Sequence, residues 1–477
     1  MSNQTDKQRR KFLKQFGLLA GGTTLLATQS KLQFIKTALA ANYNGINDQK
    51  SLVCIFLAGG NDGFNMFAPY QSDLHQEYSN IRKTLAISRA DLAGQQVEDG
   101  SGYAFHPKMK NVAEIYNQGK LALISNVGNL HQPLTQAQYL SGNSGILIPE
   151  SLFSHSHQQE TWQTNRAPAQ PTPAGWGGLL ADLLKQANTG SQLAPTFSLS
   201  GTSPWQSGIT TQPFSLNSSG VKDFEYLQSE LPNGADRHSI RSKIWSDMLA
   251  LNRNHVLEQH SAGLLIETKK RLVFLQDALN TPDATNFDDS AFDGLERNRL
   301  ANNLKMIARL ISARDAISQK RQIFFVRFGS WDTHSDQLNQ HTALLTQLND
   351  AMSAFQTTMN NVAHIDENSV TTFTASEFGR TATSNGDGTD HGWGGHQLVM
   401  GGAVNGGQIH GTLPDITPGG INDSDNSANS AGRIIPTIAV DQYGATLAKW
   451  MGVADSDLNA IFPNLSRFSQ RDLGFMN

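Results

Sequence analysis

The chain has 477 residues, with 37 basic and 41 acidic side chains and a formal net charge of −4. Residues 1–40 carry seven of the basic and one of the acidic residues, so the remainder has a net charge of about −10, which argues against nucleic acid or an anionic membrane surface as partner. Cys54 is the only cysteine, which excludes an intramolecular disulfide and a cysteine-built zinc cluster.

The first predicted element is an export signal. Arg9-Arg10-Lys11-Phe12-Leu13-Lys14 is a twin-arginine core, followed by a modest apolar stretch from Phe16 to Ala27 and the small-x-small site Ala38-Leu39-Ala40. The apolar stretch is too short to span a bilayer, which takes ~20 apolar residues. Charged region, apolar region and small-residue site in this order read as a signal peptide over residues 1–40. The expectation is folded export by the twin-arginine translocon to the periplasm or beyond, with no stable membrane span after cleavage.

Ser51–Leu57 is a continuous apolar run, as a strand buried on both faces requires. It ends in Ala58-Gly59-Gly60-Asn61-Asp62-Gly63, and Cys54 within it reads as a core residue. A helix is predicted over Lys108–Tyr116, a buried strand over Lys120–Ser125 and a helix over Trp176–Leu184. Pro195 to Pro232, rich in Ser, Thr, Gly and Pro, reads as irregular. Ile240–Leu279 and Arg297–Ala313 are helical by pattern. Gln322–Phe328 is a strand, followed by Gly329-Ser330-Trp331-Asp332-Thr333-His334 and a long helix over Ser335–Asn360. Val370–Ala375 is a strand ending in Ser376-Glu377-Phe378-Gly379-Arg380. Leu398–Val404 is another strand, Pro418–Gly432 a loop and Gln442–Met451 a closing helix. Strands alternating with helices predict an α/β fold with a mostly parallel sheet. The expected organisation is one domain over 41–477, with a helical and irregular insertion at about 190–315.

Polar residues gather where these strands end. Asp62 follows the first strand, Asp332 and His334 the Gln322 strand, and Glu377 the Val370 strand. Asp390, His391 and His396 lie in the next loop, written TDHGWGGH. Ligands of open α/β sheets bind outside the carboxyl ends of the strands. Carboxylates and imidazoles converging there suit a divalent metal, zinc or manganese, as one or two ions. Each piece has a structural alternative. Gly59–Gly63 also reads as a tight turn, Asp332 or Thr333 as a helix cap, and Glu377 as a surface partner of Arg380. There is no dinucleotide fingerprint, phosphate-binding loop or G-x-S-x-G elbow.

The segments LVCIFLAGGNDGFNMFAPY, SHSHQQETWQTN, GSWDTHSDQ, SEFGRT and TDHGWGGH, with VDQYGATLAKWMGV near the end, resemble the exported family of unknown function numbered 1501. That family resembles a remote branch of the alkaline phosphatase and sulfatase superfamily. The resemblance implies a three-layer α/β/α fold with a metal site at the strand ends. It implies Asp62, Asp332, His334, Glu377 and His391 as metal ligands, with Asp390 and His396 as ligands or supports. Ser154 is then the candidate nucleophile, with Ser156 and Thr161 as alternatives, and Arg380 a candidate clamp for an anionic substrate. Two departures stand out. The middle pair is spaced Asp-x-His, closer than the superfamily pattern, and Phe378 stands where a histidine is expected, so that one metal is put in doubt. Cys54 lies inside the strand, which rules out a cysteine-derived nucleophile. The function expected is metal-dependent hydrolysis of a phosphate or related ester. The alternative is a non-catalytic exported binding or assembly protein, for instance for a surface polymer.

Overall fold

The computed structural model describes residues 43–165, 174–221, 237–251 and 255–477. The predicted export signal lies outside the described residues. No described helix is long and apolar enough to cross a membrane.

The elements that carry the argument are, in chain order, β1 (Lys50–Leu57), α1 (Gly63–Met66), β2 (Phe67–Pro69), α2 (Ser72–Arg82), β3 (Tyr103–Phe105), α3 (Lys110–Asn117), β4 (Leu121–Gly128), α4 (His155–Thr164), α5 (Trp176–Leu184), β5 (Thr196–Ser198), β6 (Phe214–Ser215), α6 (Val256–Leu279), α7 (Arg299–Ser312), β7 (Arg321–Phe328), α8 (Gln337–Asn361), β8 (Val370–Ala375), β9 (Gly395–Gly401), β10 (Ile409–His410), β11 (Ile438–Ala439) and α9 (Val440–Trp450). The main sheet runs β10-β4-β9-β8-β1-β7-β5-β6, with β11 also paired to β4. β1 is central and parallel to both neighbours, with Val53 opposite Phe324 of β7 and Thr372 of β8.

Side chains of a strand alternate between the two faces of its sheet. In β1, Val53, Ile55 and Leu57 pack with α3, α7 and α8. Leu52, Cys54 and Phe56 face the other way, onto α5 and α9. The continuous apolar run in the sequence thus has a double use: helices cover both faces, which gives three layers. Cys54 is fully buried in the second of these cores.

β9 is the exception to the parallel pattern, antiparallel to both β8 and β4. The chain therefore leaves β8 and enters β9 at the same edge of the sheet. Residues 376–394 are held at the carboxyl ends of β1, β7 and β8, where Gly59–Asp62 and Trp331–His334 also emerge.

Several segments differ from the sequence reading. The helix expected over Ile240–Leu279 is two helices, Arg237–Ala250 and Val256–Leu279, and the strand expected over Leu398–Val404 spans Gly395–Gly401. Part of the stretch expected to be irregular forms β5 and β6, which extend the sheet beyond β7 in parallel. Phe197 stacks on Phe324 with ring centroids 5.4 Å apart. Strands of two and three residues are too short to show alternation. The long helix begins at Gln337, with Asp336 as its cap residue in the left-handed region (φ 45°). Asp332 and Thr333 are therefore not its cap and are left to the site.

Candidate metal centre at the strand ends

Asp332 is the hub. It leaves β7 through a turn that passes over Gly59: a Cβ at Gly59 would lie 2.4 Å from the Asp332 nitrogen, and the residue has φ +127°. Only glycine tolerates both demands. Three imidazoles meet the Asp332 carboxylate. His334 Nε2 is 3.0 Å from Oδ1, His391 Nε2 3.1 Å from Oδ1, and His155 Nε2 3.3 Å from Oδ2. His334 Nε2 and His391 Nε2 are 3.0 Å apart. His155, Asp332 and His391 each offer one ligand atom, all within 4.8 Å of one another.

The opposite nitrogen of each ring is held by an acceptor. His155 Nδ1 is 2.9 Å from Glu377 Oε1. His334 Nδ1 is 3.1 Å from Asp390 Oδ1. His391 Nδ1 is 2.7 Å from the Phe153 carbonyl. An acceptor at Nδ1 requires the proton there, so that in the neutral ring the Nε2 lone pair points inward. His155 Nε2 is buried without a hydrogen-bond partner. Inward lone pairs facing a carboxylate and one another repel unless a proton or a metal cation lies between them. Ligands at about 2.05 Å in a tetrahedral zinc site are about 3.3 Å apart, close to the 3.0–3.3 Å found here. Carboxylate and carbonyl partners behind ligand histidines are the usual support of a metal site. The donor set fits a divalent cation.

The local electrostatics agree. Partial burial works against the Asp332 charge, but the Arg380 guanidinium, with His155 and His334, holds its carboxyl below the usual range. Burial holds His391 below the ordinary imidazole value, which favours its neutral form. His155 is raised, chiefly by its hydrogen bond to Glu377. Asp332 and His334 remain about two-fifths exposed, so the cluster opens to solvent on one side.

The remaining expected site residues divide. Glu377 is buried behind His155, and its Oε1 also accepts from Gly59 N–H and Gln159. Its Oε2 is buried without a hydrogen-bond partner, and Glu377 lies outside the group formed by His155, Asp332 and His391. Asp390 stands behind His334 in the same way. Phe378, in the place of the expected histidine, packs against the rings of His155 and His391 at 4.8 and 4.7 Å. It forms an apolar wall.

Asp62 and His396 are not brought to this cluster. Asp62 caps α1 by accepting from Phe64 N–H and Asn65 N–H. Its other oxygen accepts from Arg82 and Gln337. Four donors use the lone pairs that metal binding needs, and Arg82 supplies the positive charge. His396 is buried at the start of β9, where its Nδ1 accepts from Asn126 N–H at 3.2 Å.

Arg380 also differs from its expected role. It is 1 % exposed, and its donors are taken by Asp332, Thr389 and the Gly59 carbonyl. It holds Asp332 in place and has no free edge for a substrate. Ser154 precedes α4, and among the described residues its Oγ meets only Ser156 Oγ, at 3.4 Å.

Two further residues stand at the cluster without a decisive signal in the sequence. His155 stood beside Ser154 in the quoted SHSHQQETWQTN segment, where paired histidines were the available signal. Arg433 had no motif at all. Its Nε donates to the His391 carbonyl, and its guanidinium lies 4.7 Å over the Phe153 ring. Its terminal nitrogens have no hydrogen-bond partner among the described residues. Phe153 itself has φ +71°, a strained backbone for an aromatic residue, and its carbonyl is the one that fixes His391.

The profile of a protein family described as "Protein of unknown function (DUF1501)" matches residues 49–428. No curated protein matches the chain by sequence. The solved structures that are similar include the following three. PsFucS1 sulfatase from Pseudoalteromonas sp. has 10% identity and a TM-score of 0.34, with 90% of this chain and 72% of that chain covered. Ps i-CgsB, solved with k-i-k-neocarrahexaose, has 9% identity and a TM-score of 0.31, with 89% and 77% covered. A mutant of alkaline phosphatase PafA has 11% identity and a TM-score of 0.25, with 71% and 64% covered.

Proposed function

The chain belongs to the DUF1501 family, and we propose that it is an exported, metal-dependent hydrolase of phosphate or related esters. One observation carries the reading: the Nε2 atoms of His155, His334 and His391 converge on Asp332 while every Nδ1 is held from behind. His155, His391 and Asp332 would hold one divalent ion, zinc by the preference of imidazole donors, with His334 beside Asp332 and His391. When bound, such an ion lowers the pKa of water and offsets charge developing on the transferred group.

The chain's own residues supply the rest. Arg380 fixes the Asp332 carboxylate, and Glu377, Asp390 and the Phe153 carbonyl fix the three rings. Phe378 keeps water from one side of the imidazoles. Arg433, beside His391 with free terminal nitrogens, would take the anionic group of the ester through paired hydrogen bonds. Ser154 starts the helix that carries His155 and is the candidate for covalent attack, though no base contacts its hydroxyl among the described residues. Export as a folded protein through the twin-arginine translocon, read from Arg9 and Arg10, would let the metal be taken up before transport.

The test is elemental mass spectrometry of the mature protein purified without chelator, with turnover of nitrophenyl phosphate mono- and diesters and of a nitrophenyl sulfate. The expected result is one equivalent of metal, lost in Asp332→Asn and His391→Ala. Hydrolysis should fall about ten-fold or more in Arg433→Ala. Metal-free protein with folded, unchanged variants would overturn the reading and favour a binding or assembly protein for a surface polymer. Unchanged turnover in Ser154→Ala would remove that residue from the chemistry.

A further inference from the structure

A cavity of about 380 Å³ lies between α1, α2, the β2–β3 ladder and residues 413–417. Nothing in the proposed hydrolysis uses it. Phe64, Phe67, Ile81 and Leu413 give part of its wall an apolar character, interspersed with Tyr78, Tyr103 and Thr417. His396 lines it and is 2 % exposed. Because His396 Nδ1 accepts from Asn126 N–H at 3.2 Å, the ring proton belongs on Nε2. Burial lowers the His396 pKa to about 4, so the ring stays neutral. Nε2–H finds no acceptor among the described residues. His396 lines the cavity, so this ring N–H is a donor that an acceptor on a ligand can take.

The rim has the opposite character. Glu77 and Asp415 line the cavity and are exposed, and among the described residues no lysine or arginine lines it. Two carboxylates at the mouth repel anions and attract cations. Volume, apolar wall and a few convergent polar groups are what a small-molecule site requires.

We propose that this cavity binds a small amine with an aromatic body and an oxygen at the far end. The ammonium meets Glu77 and Asp415 at the rim. The ring lies among Phe64, Phe67, Ile81 and Leu413. The oxygen accepts from His396 Nε2–H. The acidic rim distinguishes this ligand from the anionic ester of the metal centre, and the site stands whether or not that centre hydrolyses anything.

Tyramine is the probe, titrated into the full mature chain by calorimetry with a chelator present, so that binding at a metal plays no part. The expected result is saturable binding at one equivalent. Glu77→Gln, a change at an exposed position, should weaken tyramine about ten-fold and leave uncharged p-cresol unaffected. Ile81→Trp should fill the cavity and abolish binding of both. The anion 4-hydroxyphenylacetate should not bind. Absence of saturable tyramine binding, equal binding of the anion, or full binding in a folded Ile81→Trp protein would each overturn the proposal.

Discussion

The carboxylate of Asp62 is paired with the guanidinium of Arg82, and neither side chain is exposed to solvent. Arg82 also donates to the Thr381 and Ala382 carbonyls, which ties α2 to the segment after β8. Removing one partner of a buried pair leaves an uncompensated charge, at a cost of about 3–5 kcal/mol. Asp62→Asn should therefore lower stability toward urea by roughly that amount while leaving metal content unchanged. Loss of metal from a folded Asp62→Asn protein would return Asp62 to the ligand set.

Glu377 acts through His155. Losing a carboxylate behind a ligand histidine typically weakens metal affinity 10–100-fold. Glu377→Gln should show a loss in that range in a competition titration with a chelating dye, and His155→Ala a larger one. Unaltered affinity in both would mean that the His155–Glu377 pair is structural.

The loop between β8 and β9 depends on Gly388. A Cβ there would lie 2.3 Å from the His334 carbonyl carbon and 2.4 Å from its oxygen. Gly388→Ala should push His334 off Asp332 and reduce metal affinity at least about ten-fold by the same measure, with little change in circular dichroism. Gly263→Ala, in α6 with nothing within 4 Å of the new methyl, is the control. It should leave metal binding untouched and raise stability by about 1 kcal/mol through helix propensity.

Asp441, in the first turn of α9, is fully buried, and Asn464 N–H donates to its Oδ1 at 3.0 Å. Burial raises its pKa from 3.8 to about 7. A raised carboxyl pKa disfavours folding as pH increases, because the unfolded chain ionises from about pH 4 while the folded chain keeps its proton. The penalty grows between those two values and is complete above pH 7. Asp441→Asn keeps the acceptor and removes the charge. It should raise stability at pH 8 by about 4 kcal/mol and have no such effect near pH 3. A melting temperature equally changed at both pH values would show that packing, not ionisation, is responsible.

The sequence by itself was enough for the architecture. Ser51–Leu57, Gln322–Phe328 and Val370–Ala375, short runs rich in apolar, aromatic and β-branched residues, read as strands covered on both faces, and the structure places them side by side as β1, β7 and β8. It also brought Asp332, His334, Glu377, Asp390 and His391 to attention, because polar residues just after buried strands must emerge at one edge. What it did not contain was direction and partner. The antiparallel turn into β9 decides that His391 meets Asp332 while His396, five residues on, is buried elsewhere. The pairing of Arg82 with Asp62, 20 residues apart in the chain, turns an expected ligand into a cap and a buried ion pair. His155, far from Asp332 and Glu377 in sequence, joins both only because α4 is laid across the strand ends. Local pattern follows from which side chains must leave water. A ligand set depends on distances between residues remote in the chain, and those exist only once the sheet and its helices have packed.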